Sequence, residues 1–303
     1  MYAIWNLTNV CPWNCSFCCM SAVGSKNKIH QAELLSFDEK MEVLKILASN
    51  NVKIDFSGGD PLFYPDDFSI VEEATNLLPK EMIDVSMTGV DFTPRKLALV
   101  KKVGKVEISI DNPPGTPNKF RPSGFNASAI AVLEKMADEG IFCSGVTTLY
   151  PETVKKENLL AVYELLCEKK VPKWNVLRYY LVGRGSTLSE LELSEEELLR
   201  TMDFLDSFKG FTEIAFQHSL RILRGQYQCH AANKSVGILP DGTVVACGWA
   251  LDGNSRPLHG FELGKLPQDD FGGIIERAKN KLGYGECRKI CRIISFLKEN
   301  KPV

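Results

Sequence analysis

The chain has 303 residues, 44% apolar and 24% charged, with a formal net charge of -2. This is the composition of a globular protein with one large domain or two, and it excludes bulk attraction to nucleic acid or an anionic membrane. No apolar run approaches the roughly 20 residues of a membrane span, and the opening MYAIWNLTNV lacks the regions of a signal peptide, so a cytoplasmic protein without nucleic-acid or membrane partners is expected.

Strand and helix patterns alternate in chain order. Ala3–Thr8 reads as a short apolar strand. Ser36-Phe-Asp-Glu39 is a capping box opening a helix with Phe37, Met41, Leu44 and Leu47 on one face. Strands follow at Val52–Phe56, Ile83–Met87, Val106–Ile110, Ile141–Thr148 and Trp174–Leu181. Between them lie helical patterns at Asp67–Leu78, Pro94–Lys102, Asn126–Glu139 and Lys155–Lys169. A second capping box, Ser194-Glu-Glu-Glu197, starts a helix reaching about residue 208. Such alternation builds βαβ units on a parallel sheet. Six units are too few for a closed eight-fold barrel, so the expected fold class is α/β, a partial (β/α)6 barrel with its chemistry in the loops after the strands. The pattern breaks near residue 217. A hairpin turned at Asp241-Gly242, an irregular stretch at Leu258–Pro267 and helices at Asp270–Lys281 and Arg288–Glu299 follow. The expected division is 1–217 for the barrel and 218–303 for a small second domain.

Ten cysteines in a cytosolic chain point to metal or redox chemistry rather than to disulfides. Cys143 and Cys167 sit alone in apolar runs and read as packing residues. Cys11, Cys15, Cys18 and Cys19 crowd the loop after the first strand as CPWNCSFCC. Zinc asks for four converging ligands, and adjacent residues such as Cys18 and Cys19 rarely reach one metal together. Cys11, Cys15 and Cys18 suit three irons of a [4Fe–4S] cube, whose fourth iron stays open to another ligand. Cys19 reads as a buried thiol behind the loop. His30, His218, His230 and His259 form no constellation and read as structural or surface residues.

The run Cys11-Pro-Trp-Asn-Cys15-Ser-Phe17-Cys18 resembles the signature of the radical S-adenosylmethionine (SAM) superfamily. Nearly the whole chain is similar to that family. The resemblance implies a SAM-binding [4Fe–4S] cluster whose open iron is chelated by SAM, and reductive cleavage to a 5′-deoxyadenosyl radical that takes a substrate hydrogen. Phe17 belongs to that signature. Ser57-Gly58-Gly59-Asp60-Pro61 resembles the family's Gly-Gly-Glu-Pro, which grips the methionine amino group, with Asp60 one methylene shorter than glutamate. Met87-Thr88-Gly89 is similar to a Thr-Asn-Gly run, which puts Thr88 near the methionine moiety. Ser109 and Asp111, followed by Arg121, Gly124 and Phe125, are similar to the Ser-x-Asp-Gly…Arg-Gly run of peptide-modifying members, near the ribose or the substrate. Arg178 is placed toward the SAM carboxylate or the substrate.

Cys229, Cys247, Cys287 and Cys291, with Gly242 and the Phe261–Leu266 segment, resemble the opening of a SPASM domain and the shorter twitch domain. That implies an auxiliary [4Fe–4S] cluster ligated by all four, with a four-cysteine zinc site as the rival. The resemblance implies an oxidoreductase supplied by an external electron donor such as flavodoxin or ferredoxin. It acts on a ribosomally made peptide or, alternatively, oxidises or rearranges a small alcohol or sugar. The barrel begins at once, so no separate leader-binding domain is expected before it. The remaining alternative is a non-catalytic protein binding structural metal.

Overall fold

The computed structural model describes residues 1–25, 34–281 and 290–300, with backbone only at 279–281. Nine helices and ten strands are defined within these residues. The first part alternates strictly: β1 (Tyr2–Thr8), α1 (Phe37–Ser49), β2 (Lys53–Gly58), α2 (Pro65–Leu77), β3 (Ile83–Met87), α3 (Pro94–Val100), β4 (Lys105–Ser109), α4 (Phe125–Asp138), β5 (Cys143–Leu149), α5 (Lys156–Glu168) and β6 (Lys173–Arg178). Then come α6 (Glu195–Asp206), β7 (Glu213–Phe216), α7 (His218–Leu223), β8 (Ser235–Ile238), β9 (Thr243–Val245), β10 (Glu262–Lys265), α8 (Phe271–Lys281) and α9 (Arg292–Glu299).

All ten strands form one sheet in the order β10-β9-β8-β1-β2-β3-β4-β5-β6-β7. Strands β1 to β7 pair in parallel, and the two ends of the sheet do not meet, so the barrel is partial as expected. The sequence reading missed β7 and β10, which are only four residues each. It also carried the sixth strand too far: β6 ends at Arg178, and the chain turns away through Tyr179 and Tyr180. The hairpin of β8 and β9 turns at Gly242 (φ +87°) as expected. Its β8 strand also pairs in parallel with β1, from Tyr2 opposite Ser235 to Trp5 opposite Ile238.

Both capping boxes form, at Ser36/Glu39 and Ser194/Glu197. The expected buried stripe of α1 is wrong in part. Its buried residues are Lys40, Val43, Leu44 and Leu47, whereas Phe37 is exposed. Lys40 is tolerated inside because its Nζ lies 2.5 Å from the Asp67 carboxylate of α2, and a buried lysine needs such a partner.

The two faces of the sheet differ in chemistry. Trp5, Ile54, Phe56, Val85, Val106 and Ile108 are fully buried in the apolar layer beneath the helices, each contributing about 1.5–3 kcal/mol by burial. The alternate residues face inward, and many of them are polar. Tyr2 donates its hydroxyl to Asp55 (3.0 Å), and Ser86 donates to Asp55 (3.0 Å) and Glu107 (3.4 Å). Lys105 joins Glu107 to Asp84, and Asn175 donates to Glu107 at 2.6 Å. Burial, aided by Glu107 and Asp84 and opposed by Lys105, raises the Asp55 pKa to about 7.

Asp55 therefore keeps its proton in the folded state well above the pH at which it ionises when unfolded. Its contribution to stability is fully present below the unfolded pKa of about 4 and is lost as the pH rises toward 7. Denaturant titrations at pH 5 and pH 8 should show the wild type losing stability across that interval. Asp55→Asn should flatten the loss; an equally steep pH dependence in the variant would remove Asp55 as its source.

Candidate active site

The cysteine loop spans residues 9–23 and is closed at its base. Val10 and Val23 form a parallel bridge, Cys11 donates its backbone N–H to Val23 and Val23 donates to Asn9, both at 2.9 Å. Two glycines of the next strand end hold it from beneath. Gly59 donates to Thr8 (2.7 Å) and Asp60 donates its backbone N–H to Val10 (2.9 Å). A Cβ on Gly58 would come to 2.2 Å from the Thr8 carbonyl, and one on Gly59 to 2.1 Å from that of Val10. These positions are glycine because the loop backbone packs on them, a reason distinct from close approach to a ligand.

The segment after β6 holds the loop from the other side. Gly183 (φ +55°) sits so near the Cys19 carbonyl that a Cβ would approach it to 2.2 Å. Arg184 donates Nε (3.2 Å) and Nη2 (2.8 Å) to the Cys15 carbonyl and Nη1 to that of Ala22. Sequence reasoning missed Arg184, because no local pattern announces a side chain that reaches back across the barrel mouth.

Held in this way, Cys11, Cys15, Cys18 and Cys19 line one cleft of about 840 Å³, part of it continuous with solvent. Phe17, Gly58, Gly59, Thr88, Ser109, Arg121, Arg178, Tyr180 and Trp249 share it, so the ends of β2, β3, β4 and β6 converge on the loop. Cys19 borders the cleft as well, with its side chain packed against the core and its thiol pushed up by burial. Phe17 packs in an aromatic nest with Phe120, Tyr150 and Tyr179. The Ser109 hydroxyl and the Arg178 guanidinium make no hydrogen bond or close ion pair among the described residues; Arg178 is only 6% exposed, and its charge helps to lower the Glu195 pKa.

Two expected site carboxylates turn away from the cleft. Asp60 is buried and accepts the Thr88 N–H (3.0 Å), the Thr88 hydroxyl (2.5 Å) and the Leu62 N–H (3.0 Å). It braces Thr88. Asp111 is fully buried and accepts Arg121 Nε (2.5 Å) and the Thr148 N–H (3.2 Å). Arg121 then donates Nη1 to the Cys15 sulfur at 3.3 Å and lies over the rings of Phe17 and Phe125. Burial works against the guanidinium charge, but Asp111 and Cys15 outweigh it and raise the Arg121 pKa. Burial also pushes the Cys11 and Cys15 thiols up, with Arg121 opposing the effect at Cys15.

The donor set fits an iron–sulfur cube. Three thiols line one cleft, and sulfur already accepts N–H bonds from Arg121 at Cys15 and from Ala22 at Cys18 (3.4 Å). Such donors suit thiolates that carry charge. Among the described residues no three donors converge on one metal-ion position. A cube does not ask for that, since its thiolates sit on different irons.

A family model for the radical SAM superfamily matches residues 5–166, more than half of the chain. The chain belongs to the radical SAM superfamily. Membership supports a SAM-binding [4Fe–4S] enzyme over the alternative of a non-catalytic structural zinc protein. The enzyme is similar to the Fe-coproporphyrin III synthase of Methanosarcina barkeri, 31% identical over 209 residues, which cover 67% of this chain and 50% of that protein. It is also similar to an AdoMet-dependent heme synthase of Oleidesulfovibrio alaskensis, 24% identical over 250 residues, 78% of this chain and 61% of the relative. The chain therefore spans about half to three fifths of the length of these curated relatives. Among solved structures, SAM-bound SuiB of Streptococcus suis aligns with a TM-score of 0.68 at 14% identity, over 81% of this chain and 60% of that one. The anSMEcpe enzyme with bound AdoMet aligns at 0.66 and 14% identity, over 92% and 78%. These two share the fold.

Three thiols of the second group are described. Cys229, Cys247 and Cys291 lie close enough to influence one another electrostatically, and the Tyr180 hydroxyl is 4.0 Å from the Cys291 sulfur. Cys287 and His30 lie outside the described residues. Tyr180 also meets the Trp249 ring at 6.2 Å, and both line the cleft, so one aromatic pair touches both thiol groups' surroundings. The expected structural reading suits His218 and His230, which pack on either side of Tyr227. His259 is exposed, and Cys143 is buried against the Leu133 carbonyl, while Cys167 is partly buried. No helix among the described residues is long and apolar enough to cross a membrane.

Arg184 secures the loop without lining the cleft. Arg184→Ala should leave the circular dichroism spectrum intact and reduce iron retained by the N-terminal thiols at least severalfold after anaerobic reconstitution. Full iron content in the variant would mean that the main-chain bridges suffice.

Proposed function

We propose that this chain holds the SAM-binding cluster on Cys11, Cys15 and Cys18 and directs a SAM-derived radical at a carbon–hydrogen bond of a substrate bound in the same cleft. The observation that carries the reading is the convergence of those thiols with Gly58, Gly59, Thr88, Ser109 and Arg178 on one cleft at the strand ends. When bound, the reduced cluster supplies the electron that cleaves SAM. The protein's own residues do the rest. The main chain at Gly58 and Gly59 and the hydroxyl of Thr88 face the methionine end, with Asp60 bracing Thr88. Ser109 offers a free hydroxyl to the ribose, and Phe17 gives an aromatic wall. Arg178 ends β6 at the cleft and offers a buried cation, whose charge Glu195 also feels, to a carboxylate of SAM or of the substrate. Asp111 acts at one remove, through Arg121.

In the same reading Cys229, Cys247, Cys287 and Cys291 hold an auxiliary [4Fe–4S] cluster, and residues 218–303 form a twitch-like unit around it. The proximity of three of these thiols supports this. An external flavodoxin- or ferredoxin-type donor supplies electrons. The twitch-like cysteine layout favours a ribosomally made peptide as substrate. A second class, a tetrapyrrole bearing carboxylate side chains, is favoured by the names of the curated relatives. Incubation with deuterated candidate peptides and with deuterated coproporphyrin decides between them: the true substrate class transfers deuterium into 5′-deoxyadenosine.

Two cubes correspond to about eight irons per chain. Replacing Cys11, Cys15 and Cys18 together by Ala should leave about four and abolish 5′-deoxyadenosine formation under dithionite, read by liquid chromatography. Cys247→Ala should lower iron while sparing some SAM cleavage. Wild-type cleavage in the triple variant would refute the N-terminal assignment; undiminished iron in Cys247→Ala would refute the auxiliary one.

A further inference from the structure

Arg121 meets the cysteine loop through a connected set of contacts. Its Nη1 donates to the Cys15 sulfur at 3.3 Å, its Nε donates to Asp111, and its Cζ lies 4.5 Å from the Phe17 ring centre and 4.4 Å from that of Phe125. The side chain is only 10% exposed. Asp111 is itself fixed: its other oxygen accepts the Thr148 N–H, and its own backbone N–H donates to the Asn126 side chain at 3.0 Å. A planar guanidinium can bridge a carboxylate and a sulfur at once, which a lysine ammonium cannot do in the same geometry.

A thiolate on a reduced cluster carries more negative charge than on the oxidised cluster. An N–H donor or cation at that sulfur therefore favours the reduced form, and hydrogen bonds to sulfur are among the levers that set cluster potentials. The aromatic faces on both sides of Arg121 keep water from taking over its role, and the low local dielectric strengthens the interaction.

We propose that Arg121 is a positioning and tuning residue that raises the reduction potential of the cluster held by Cys11, Cys15 and Cys18, and that Asp111 limits the rise. The inference rests on the ligand assignment made above. The step it governs is the uptake of one electron by the oxidised cluster from an external one-electron donor; no bond forms or breaks. Arg121 makes the cluster easier to charge, while the Asp111 counter-charge preserves the low potential that reductive cleavage needs.

The test is a potentiometric titration with dithionite, followed by electron paramagnetic resonance, on the reconstituted full chain. The signal that changes on adding SAM identifies the relevant cluster. In Arg121→Gln the ratio of reduced to oxidised cluster at the wild-type midpoint should fall about tenfold, equivalent to about 59 mV for one electron. Asp111→Asn, which removes the counter-charge, should shift the midpoint the opposite way, and Arg121→Lys should fall between Arg121→Gln and wild type. An Arg121 that merely held the loop would give shifts of one sign in both the Arg121 and Asp111 variants, and that outcome overturns the inference. So does an unchanged midpoint in a cluster-bearing Arg121→Gln. If Arg121→Gln fails to hold iron, opposite shifts in Arg121→Lys and Asp111→Asn support the inference and shifts of one sign overturn it. A wild type without any SAM-sensitive signal overturns the underlying functional reading as well.

Discussion

Three thiols separated along the chain have to face one cleft before any cofactor arrives, and main-chain contacts impose that arrangement. The Val10–Val23 bridge closes the loop on itself. Gly58 and Gly59 accept its backbone from one side, and Gly183 with Arg184 accept it from the other. Any side chain at Gly59 would drive the loop off β2 and turn Cys11 with it. The curvature of the open sheet matters for the same reason: it brings the end of β6 round to the end of β1, so that a segment remote in sequence can grip the loop.

Three arginines at this mouth carry the same charge and do different work. Arg184 spends its donors on carbonyl oxygens and fixes shape. Arg121 divides its donors between a carboxylate and a sulfur and so links charge to the cluster. Arg178 is buried at the end of β6, its guanidinium without a hydrogen bond among the described residues and its charge felt by Glu195 of α6. Below them the barrel interior is polar, with Asp55, Asp84 and Glu107 sharing Lys105, Ser86 and Tyr2. A closed barrel fills that space with branched apolar side chains; an open one leaves room for charge.

Much of this was legible in the sequence, because strong periodicity and local chemistry carried it. The six principal strands, their helices, both capping boxes and the hairpin turn at Gly242 follow from patterns within a few residues. The cysteine spacing and the Gly58-Gly59 pair pointed to the cleft. What was not legible depends on distance in sequence. β7 and β10 are too short for periodicity to register. The face of α1 was misjudged because Lys40 is buried only by virtue of Asp67, 27 residues on in α2. Asp60 and Asp111 looked like ligand-facing carboxylates, yet each is consumed by a protein partner, Thr88 in one case and Arg121 in the other. Arg184 and Trp249 left no local signal, since their places are set by the path of the whole barrel.

The pairing of β8 with β1 has a consequence for synthesis. The strand that leads into the cysteine loop is made well before one of its two neighbours, since Tyr2 lies opposite Ser235, more than two hundred residues later. Until then β1 has an open edge, and such an edge invites pairing with other chains. Long-range closure of this kind is slow compared with local helix formation. The thiols of the loop after β1 therefore follow an edge of the sheet that stays unfinished until β8 joins it. Delivery of iron and sulfide during that interval would meet a loop without its opposite wall, which favours loading after β8 has joined the sheet.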